Sequence, residues 1–333
     1  MGGVFLFAQP EKTLELYDLE VLEVTRGRGC YQCFTSLGTK VLVPFSGQKQ
    51  KAEGLYELLK YMQECEIGME VEQVMKTREE ELLVEDEEKN RYILKDWIRG
   101  TEHAIFDSGM HWNEKESLEA VRVLARVHKC LEEYTRRAED FSYEEAYAKK
   151  SRQLIKVKNF AKTRNTKNEF ERIYLEQFAH FYEQATQAME MVKNNPQTGC
   201  EKGICHGDFT HHNILCNENG LSIVRFEGFK EGWFVSDLVN YIRKILEKSR
   251  YDFQIARKLI TAYGQERQLT EAERRMIYIQ FLFPEKFFKL ANHYDNSHKA
   301  WISARDIQKL KELVSKEPER TIFLTNLFSF VGE

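Results

Sequence analysis

The stretch His206-Gly207-Asp208-Phe209-Thr210-His211-His212-Asn213 is followed, after a turn at Asn217-Glu218-Asn219-Gly220, by Leu221-Ser222-Ile223-Val224-Arg225-Phe226-Glu227, and the two together decide how the chain is read. An aspartate and an asparagine five residues apart on a tight loop suit phosphoryl transfer. There the protein supplies a base near the acceptor hydroxyl, oxygen ligands for Mg²⁺ and a cation for the phosphates. Asp208 is the candidate base, with His206 in the same candidate catalytic loop, and Asn213 is a candidate metal ligand. The alternative is a loop whose Asp and Asn side chains only cap backbone groups. The apolar run Leu221 to Phe226 predicts a strand that pairs back and carries position 225 or 227 to the metal.

Position 225 is an arginine, a permanent cation without acceptor atoms, whereas Mg²⁺ takes hard anionic oxygens. Arginine in place of a carboxylate changes the local charge by two units, at roughly 4 kcal/mol per charge pair ~4 Å apart in an effective dielectric of ~20. Arg225 is therefore expected to repel a metal, to lower the pKa of Asp208 if paired with it, and to be a candidate phosphate group itself. Glu227 has the side-chain parity of 225 on a strand, about 7 Å further along, and is the candidate displaced metal carboxylate.

A third strand should also aim a lysine at the phosphates. Here it reads Lys40-Val41-Leu42-Val43-Pro44-Phe45, with its lysine at the start. Lys40 is the weak candidate for that role, because parity or distance places it away from the expected position. The acids Glu53 and Glu57 of the following helix then lack a partner and read as a solvated face.

Working outward, Leu19 to Val24, Tyr31 to Ser36 and Lys40 to Phe45 predict an antiparallel meander, with a turn at Arg26-Gly27-Arg28-Gly29 and another at Gly38. Gln48 to Cys65 predicts a helix, and Glu70 to Thr77 and Tyr92 to Ile98 predict strands around an acidic, solvated hairpin tip at Glu79 to Glu88. Beyond Gly100 the periodicity is helical, with long helices over about Tyr143 to Lys193, a break at Asn194-Asn195-Pro196, and helices again from Asp237. The expected fold is α+β and two-lobed, protein-kinase-like: a small antiparallel-sheet lobe over residues 1–95 and a large, mostly helical lobe over 96–333 carrying the catalytic-type loop.

The 333 residues hold 49 Lys and Arg against 53 Asp and Glu, a net charge of −4, with 42% hydrophobic content. That supports a sizeable core, and no basic stripe with interleaved aromatics points to nucleic acid. No apolar run approaches the ~18 residues of a membrane span, and Met1 to Phe7 lacks the basic flank of a signal peptide, so synthesis in the cytoplasm is expected.

The residues that carry a family likeness are Tyr92 to Gly100, Leu124-Ala125-Arg126-Val127-His128, the loop His206 to Asn213, Val235-Ser236-Asp237-Leu238, and Phe283 to Tyr294. Over most of its length the chain resembles the aminoglycoside and choline phosphotransferase superfamily, and within it the CotS family of bacterial spore coat proteins. The resemblance implies a catalytic aspartate at Asp208, a metal ligand at Asn213, and a structural aspartate bracing the catalytic loop at Asp237. It implies ATP and Mg²⁺ as cofactors if the protein is active, a nucleotide or small-molecule ligand, and other spore coat proteins as partners. The superfamily's metal-binding aspartate falls at Arg225, so this chain departs there and at the strand-three lysine, and retains an acid at Glu227. The expectation is a coat-associated kinase-like protein with a degraded phosphotransfer site, binding or structural in role; the alternative is an active phosphotransferase on a small-molecule or spore-polymer hydroxyl.

Weaker signals remain. The seven cysteines are odd in number and scattered, which favours reduced thiols over a disulfide framework. Cys200, Cys205, His206, His211, His212 and Cys216 are dense in potential zinc ligands without finger-like spacing, and Cys30 and Cys33 have opposite parity on a strand. His128 and the phenylalanines 281, 283, 287 and 288 read as core.

Overall fold

The computed structural model describes residues 10–27, 29–134, 142–195, 199–297 and 302–332. Met1 to Phe7, Arg28 of the first turn and Pro196 of the expected helix break lie outside the described residues.

The N-terminal lobe is an antiparallel sheet of six strands. Strands β1 (Val21–Gly27), β2 (Cys30–Thr35) and β3 (Gly38–Pro44) form the meander; β4 (Val74–Met75), β5 (Val84–Glu85) and β6 (Arg91–Asp96) complete it in the order β1-β2-β3-β6-β4, with β5 also on β6. Alternation along the strands sends side chains to two faces. Val41, Val43 and Ile93 face helix α2 (Lys49–Glu64) and its buried Leu55, Leu58 and Leu59, whereas Leu42, Leu94 and Tyr92 pack under Leu14 and Tyr17 of the N-terminal segment, which includes α1 (Pro10–Leu14). Cys30 joins the first cluster and Cys33 the second, so the CxxC pair does point to opposite faces. The expected strand Glu70 to Thr77 shortens to β4.

The helical part begins after β7 (Thr101–Glu102) with α3 (Glu114–Leu131), capped by Asn113. The long helical stretch is two helices, α4 (Tyr143–Thr163) and α5 (Glu169–Asn194). Asn168 opens the second with a reciprocal capping box to Glu171, which satisfies backbone donors a continuous helix would not leave free. Then come β8 (Lys202–Cys205), the hairpin β9 (Ile214–Asn217) and β10 (Gly220–Ile223), and β11 (Lys230–Trp233). Strand β11 pairs with β8, and β9 is flanked by β10 and β7. Six helices follow: α6 (Val235–Leu246), α7 (Phe253–Glu266), α8 (Glu271–Leu282), α9 (Glu285–Asn296), α10 (Ala304–Ser315) and α11 (Glu317–Gly332). This is the expected α+β kinase-like architecture. His128, 1% exposed, is a core histidine whose Nδ1 meets the Tyr263 hydroxyl at 2.8 Å, and Phe281, Phe283 and Phe287 are buried as expected. Among the described residues no helix is long and apolar enough to cross a membrane.

One expectation is corrected. Cys65, just past α2, and Cys130, in the last turn of α3, form a disulfide with a Cα–Cα distance of 6.2 Å, and Cys30, Cys33, Cys200, Cys205 and Cys216 are free. Counting thiols cannot reveal a pair 65 residues apart, brought together only by the packing of α2 on α3. Closing a loop of that length constrains the unfolded chain, so reduction is expected to cost about 2 to 4 kcal/mol. Melting curves with and without dithiothreitol measure this. A Cys65→Ser variant as stable as the oxidised parent would refute it.

Candidate phosphotransfer site

Strand β8 delivers the chain to His206, where a tight loop begins. Gly207 has φ +81°, and a Cβ there would lie 2.3 Å from the carbonyl oxygen of Gly228, so both conformation and space require glycine. Two backbone donors of the turn, the N–H groups of His206 and Gly207, go to the carboxylate of Asp237 at 2.6 and 3.0 Å. Asp237 sits in the first turn of α6, 1% exposed, with His128 Nε2 at 3.4 Å from Oδ2, the oxygen that also accepts from His206. Burial would raise its pKa; the bond to His128 and the backbone donors outweigh burial and leave it below the usual aspartate range. This is the geometry of a brace.

His206 is also pinned. Its Nδ1 accepts from the N–H of Asp208 at 3.2 Å, so Nε2 carries the proton and donates to the carbonyl of Val224 at 2.9 Å. Both nitrogens are spent on backbone, so His206 fixes the loop and does not reach reacting atoms. Asn213, 4% exposed, donates from Nδ2 to the Asp208 carbonyl (2.8 Å) and to its Oδ2 (3.1 Å). Asp208 is exposed beyond it. The two residues singled out by spacing are thus brought together.

Lys40 does not join them. It ladders with Asp96, pairs with that carboxylate, and shares its side of the sheet with Leu42. Val41, on the other side, is directly opposite Lys95, and it is Lys95 that reaches the site. Lys95 is 0% exposed, and its Nζ lies 2.8 Å from Glu72 Oε1 and in a short contact with Glu227 Oε1. Burial pulls the ammonium toward neutrality, but the two carboxylates together win and its pKa ends above the usual lysine value. For Glu227 burial likewise opposes and Lys95 wins, leaving it lowered, while for Glu72 burial, aided by repulsion from Glu227, outweighs Lys95 and leaves it raised. Glu72, in the segment before β4, takes the place the exposed helix acids Glu53 and Glu57 do not.

Strand β10 stops at Ile223, and Arg225 adopts a left-handed conformation (φ 68°, ψ 50°) before a 3₁₀ turn over Phe226–Gly228. The parity argument for Glu227 therefore does not apply: the turn sends its carboxylate to Lys95. Arg225 donates its backbone N–H to Glu72 Oε2 at 3.0 Å, and its guanidinium opposes the upward pull of burial on the Cys30 thiol.

Cys200, Cys205, His206, His211, His212 and Cys216, dense in potential zinc ligands but without finger-like spacing, form no common ligand group among the described residues. One mixed group of His, Glu and Cys occurs among the described residues instead. His103 Nδ1 is 3.0 Å from Glu116 Oε2, Cys216 Sγ is 3.8 Å from the same oxygen, and His103 Nε2 meets Tyr241 at 2.7 Å. Both ring nitrogens are satisfied without an ion.

Against known protein families, residues 11–327 match the family described as "Spore coat putative kinase YutH". The chain belongs to that family. The family's kinase-like fold is evident in solved structures. An aminoglycoside phosphotransferase from Alicyclobacillus acidocaldarius aligns over 99% of this chain and 98% of its own at 16% identity, TM-score 0.82. A microcompartment-associated aminopropanol kinase aligns over 96% and 97% at 15% identity, TM-score 0.65. Amicoumacin kinase hAmiN, solved in complex with AMP-PNP, Ca²⁺ and Ami, aligns over 94% and 92% at 13% identity, TM-score 0.62. No curated protein sequence matches the chain.

The donor set of this family member does not fit a Mg²⁺ ion bridging a nucleotide's phosphates. Arg225 offers no oxygen, and Glu227 is held by Lys95. The loop itself brings together the Asn213 amide and the Asp208 carboxylate, one charge where a divalent ion needs more.

Proposed function

We propose that this YutH-family protein acts in the spore coat by binding, with a phosphotransfer site that has lost its metal half. The single observation that carries this reading is the pairing of Glu227 with Lys95 beside an arginine at 225. It uses up both the retained acid and the phosphate-type lysine within the protein. The loop of Asp208 and Asn213, held by Asp237, remains as a rigid wall of a ligand site. On this reading the partners are other coat proteins, with a nucleotide or small molecule as ligand.

A second reading, an active ATP- and Mg²⁺-dependent phosphotransferase on a hydroxyl acceptor, is favoured by one observation: a buried lysine with a carboxylate partner is present, although on β6 and not on β3. On that reading Asp208 would be the base, Asn213 and Glu227 would be the residues to hold a metal, for which Glu227 would first have to leave Lys95, and Arg225 would face phosphate.

Thermal unfolding with ATP, with and without Mg²⁺, separates the two. A ligand at ~100 times its Kd stabilises by about 2.7 kcal/mol, a few degrees here. The first reading expects no Mg²⁺-dependent shift at millimolar nucleotide, and such a shift would overturn it. Arg225→Asp restores a carboxylate and removes a cation, and is expected to create a Mg²⁺-dependent shift absent from the parent.

A further inference from the structure

A cavity of about 550 Å³ opens beside Asp208, walled by the loop after β8 and by α6, α9 and α10. In a kinase-like arrangement this is the side from which an acceptor would meet Asp208. Its charge is the informative property. Among the described residues its lining carries five permanent cations and four carboxylates, Asp208 among them. The other three carboxylates are already engaged. Lys286 holds Glu247 at 3.2 Å, Lys309 holds Asp306 at 3.0 Å, and Lys150, reaching in from α4, holds Glu285 at 2.6 Å.

What remains is positive. Arg243 is fixed by neutral acceptors, the carbonyl of Gln280 (2.7 Å) and the amide oxygen of Asn240 (3.2 Å), with its guanidinium over the Phe281 ring at 5.5 Å. These contacts orient its charge without cancelling it. Lys244 is exposed and makes no ion pair among the described residues, and Lys289 reaches only the already engaged Glu285, at 3.8 Å. The Lys289 ammonium is held below the usual lysine range by loss of hydration, with Arg243, Lys244 and Lys150 adding to it against the pull of Glu285. Its side chain is 62% exposed. Against these three cations stands the one unpaired carboxylate of the lining, Asp208, so an amino alcohol would meet a net excess of positive charge here, whereas an acid with two or more negative charges would neutralise it.

We propose that the cavity beside Asp208 binds a small acid bearing two or more negative charges on phosphate or carboxylate groups, with Arg243 as its oriented anchor and Lys244 and Lys289 completing the charge. This rests on the reading that the site is kept for ligand binding, and it names the ligand class.

Isothermal titration calorimetry on the full chain tests it, with glycerol 3-phosphate and citrate as separate anionic probes and 1-amino-2-propanol as the cationic control. The expected result is binding of at least one anion, weakened at least tenfold by Arg243→Gln and several-fold by Lys244→Gln, with no heat from the amino alcohol. Because Arg243 also ties α6 to α8, the Lys244→Gln variant, at an exposed residue without an ion pair, keeps the test valid if Arg243→Gln fails to fold. Glycerol 3-phosphate binding alone assigns the site to phosphates and citrate alone to carboxylates. Preference for the amino alcohol, absence of binding by either anion at millimolar concentration, or anion binding indifferent to both substitutions would overturn the proposal. ADP release from ATP and Mg²⁺ is followed in parallel. Turnover would sink the non-catalytic reading while leaving the ligand class standing, and lost anion binding without turnover would do the reverse.

Discussion

Lys95→Met is expected to lower the stability of the folded chain by about 4 to 5 kcal/mol, roughly 6 to 7 °C in melting temperature, although it removes one charge and keeps most of the side chain's volume. The reason lies in what it leaves behind. Glu72 and Glu227, 5% and 20% exposed at their side chains, would face one another without the ammonium that holds both. Breaking a buried pair by deleting one partner costs far more than replacing the whole pair by apolar groups, because an uncompensated charge stays buried. Adding Glu72→Gln to Lys95→Met removes one of the stranded charges and is expected to recover part of the loss. A single variant melting within two or so degrees of the parent would show that the triad contributes no net stability. The sign of the pH effect follows from the raised lysine pKa: the ammonium's contribution is complete below the unfolded value of 10.5 and fades as pH rises through the higher folded value.

Asp237→Ala is the second large loss, at about 4 kcal/mol. The N–H groups of His206 and Gly207 would be stranded in a buried turn at roughly 1 to 3 kcal/mol each, and His128 would lose its partner. Asp237→Asn keeps an acceptor oxygen and is expected to cost about half as much. Because the folded carboxyl lies below its ordinary value of 3.8, its contribution is present above that pH and is lost as acid protonates it through the lower folded value. Chemical denaturation of both variants at neutral pH measures the difference. An alanine variant as stable as the asparagine one would mean that the brace is not what shapes the loop.

The periodicities in the sequence were enough for the fold, because each depends on neighbours along the chain: the meander from alternation, the helices from stripes, the loop from Asp208 and Asn213. The other half of the site depends on neighbours across the chain. Lys95 lay within the stretch Tyr92 to Gly100 without being singled out, and its place follows only from the ladder register that sets it opposite Val41. An antiparallel partner strand can supply a side chain to the same face at the same height, so Lys95 on β6 stands on the face where a lysine of β3 was expected. Glu227 was misplaced for a local reason: parity counting assumes a strand, and the left-handed Arg225 ends that assumption one residue before the acid's turn. Glu72 fell inside the expected strand Glu70 to Thr77, which forms only over Val74–Met75, so alternation along the chain says nothing of its burial.

The bond between Cys65 and Cys130 has a kinematic consequence. The chain crosses once from the sheet to the helical part after Asp96, and the disulfide is a second covalent tether, between the ends of α2 and α3. A body joined to another at one point can tilt, roll and twist; joined at two, it keeps one rotation, about the line through both. Any opening of the oxidised protein would therefore be confined to that one rotation, like a door on two hinges. Reduction of that single bond changes the number of ways the two halves can move, as well as the free energy of moving them.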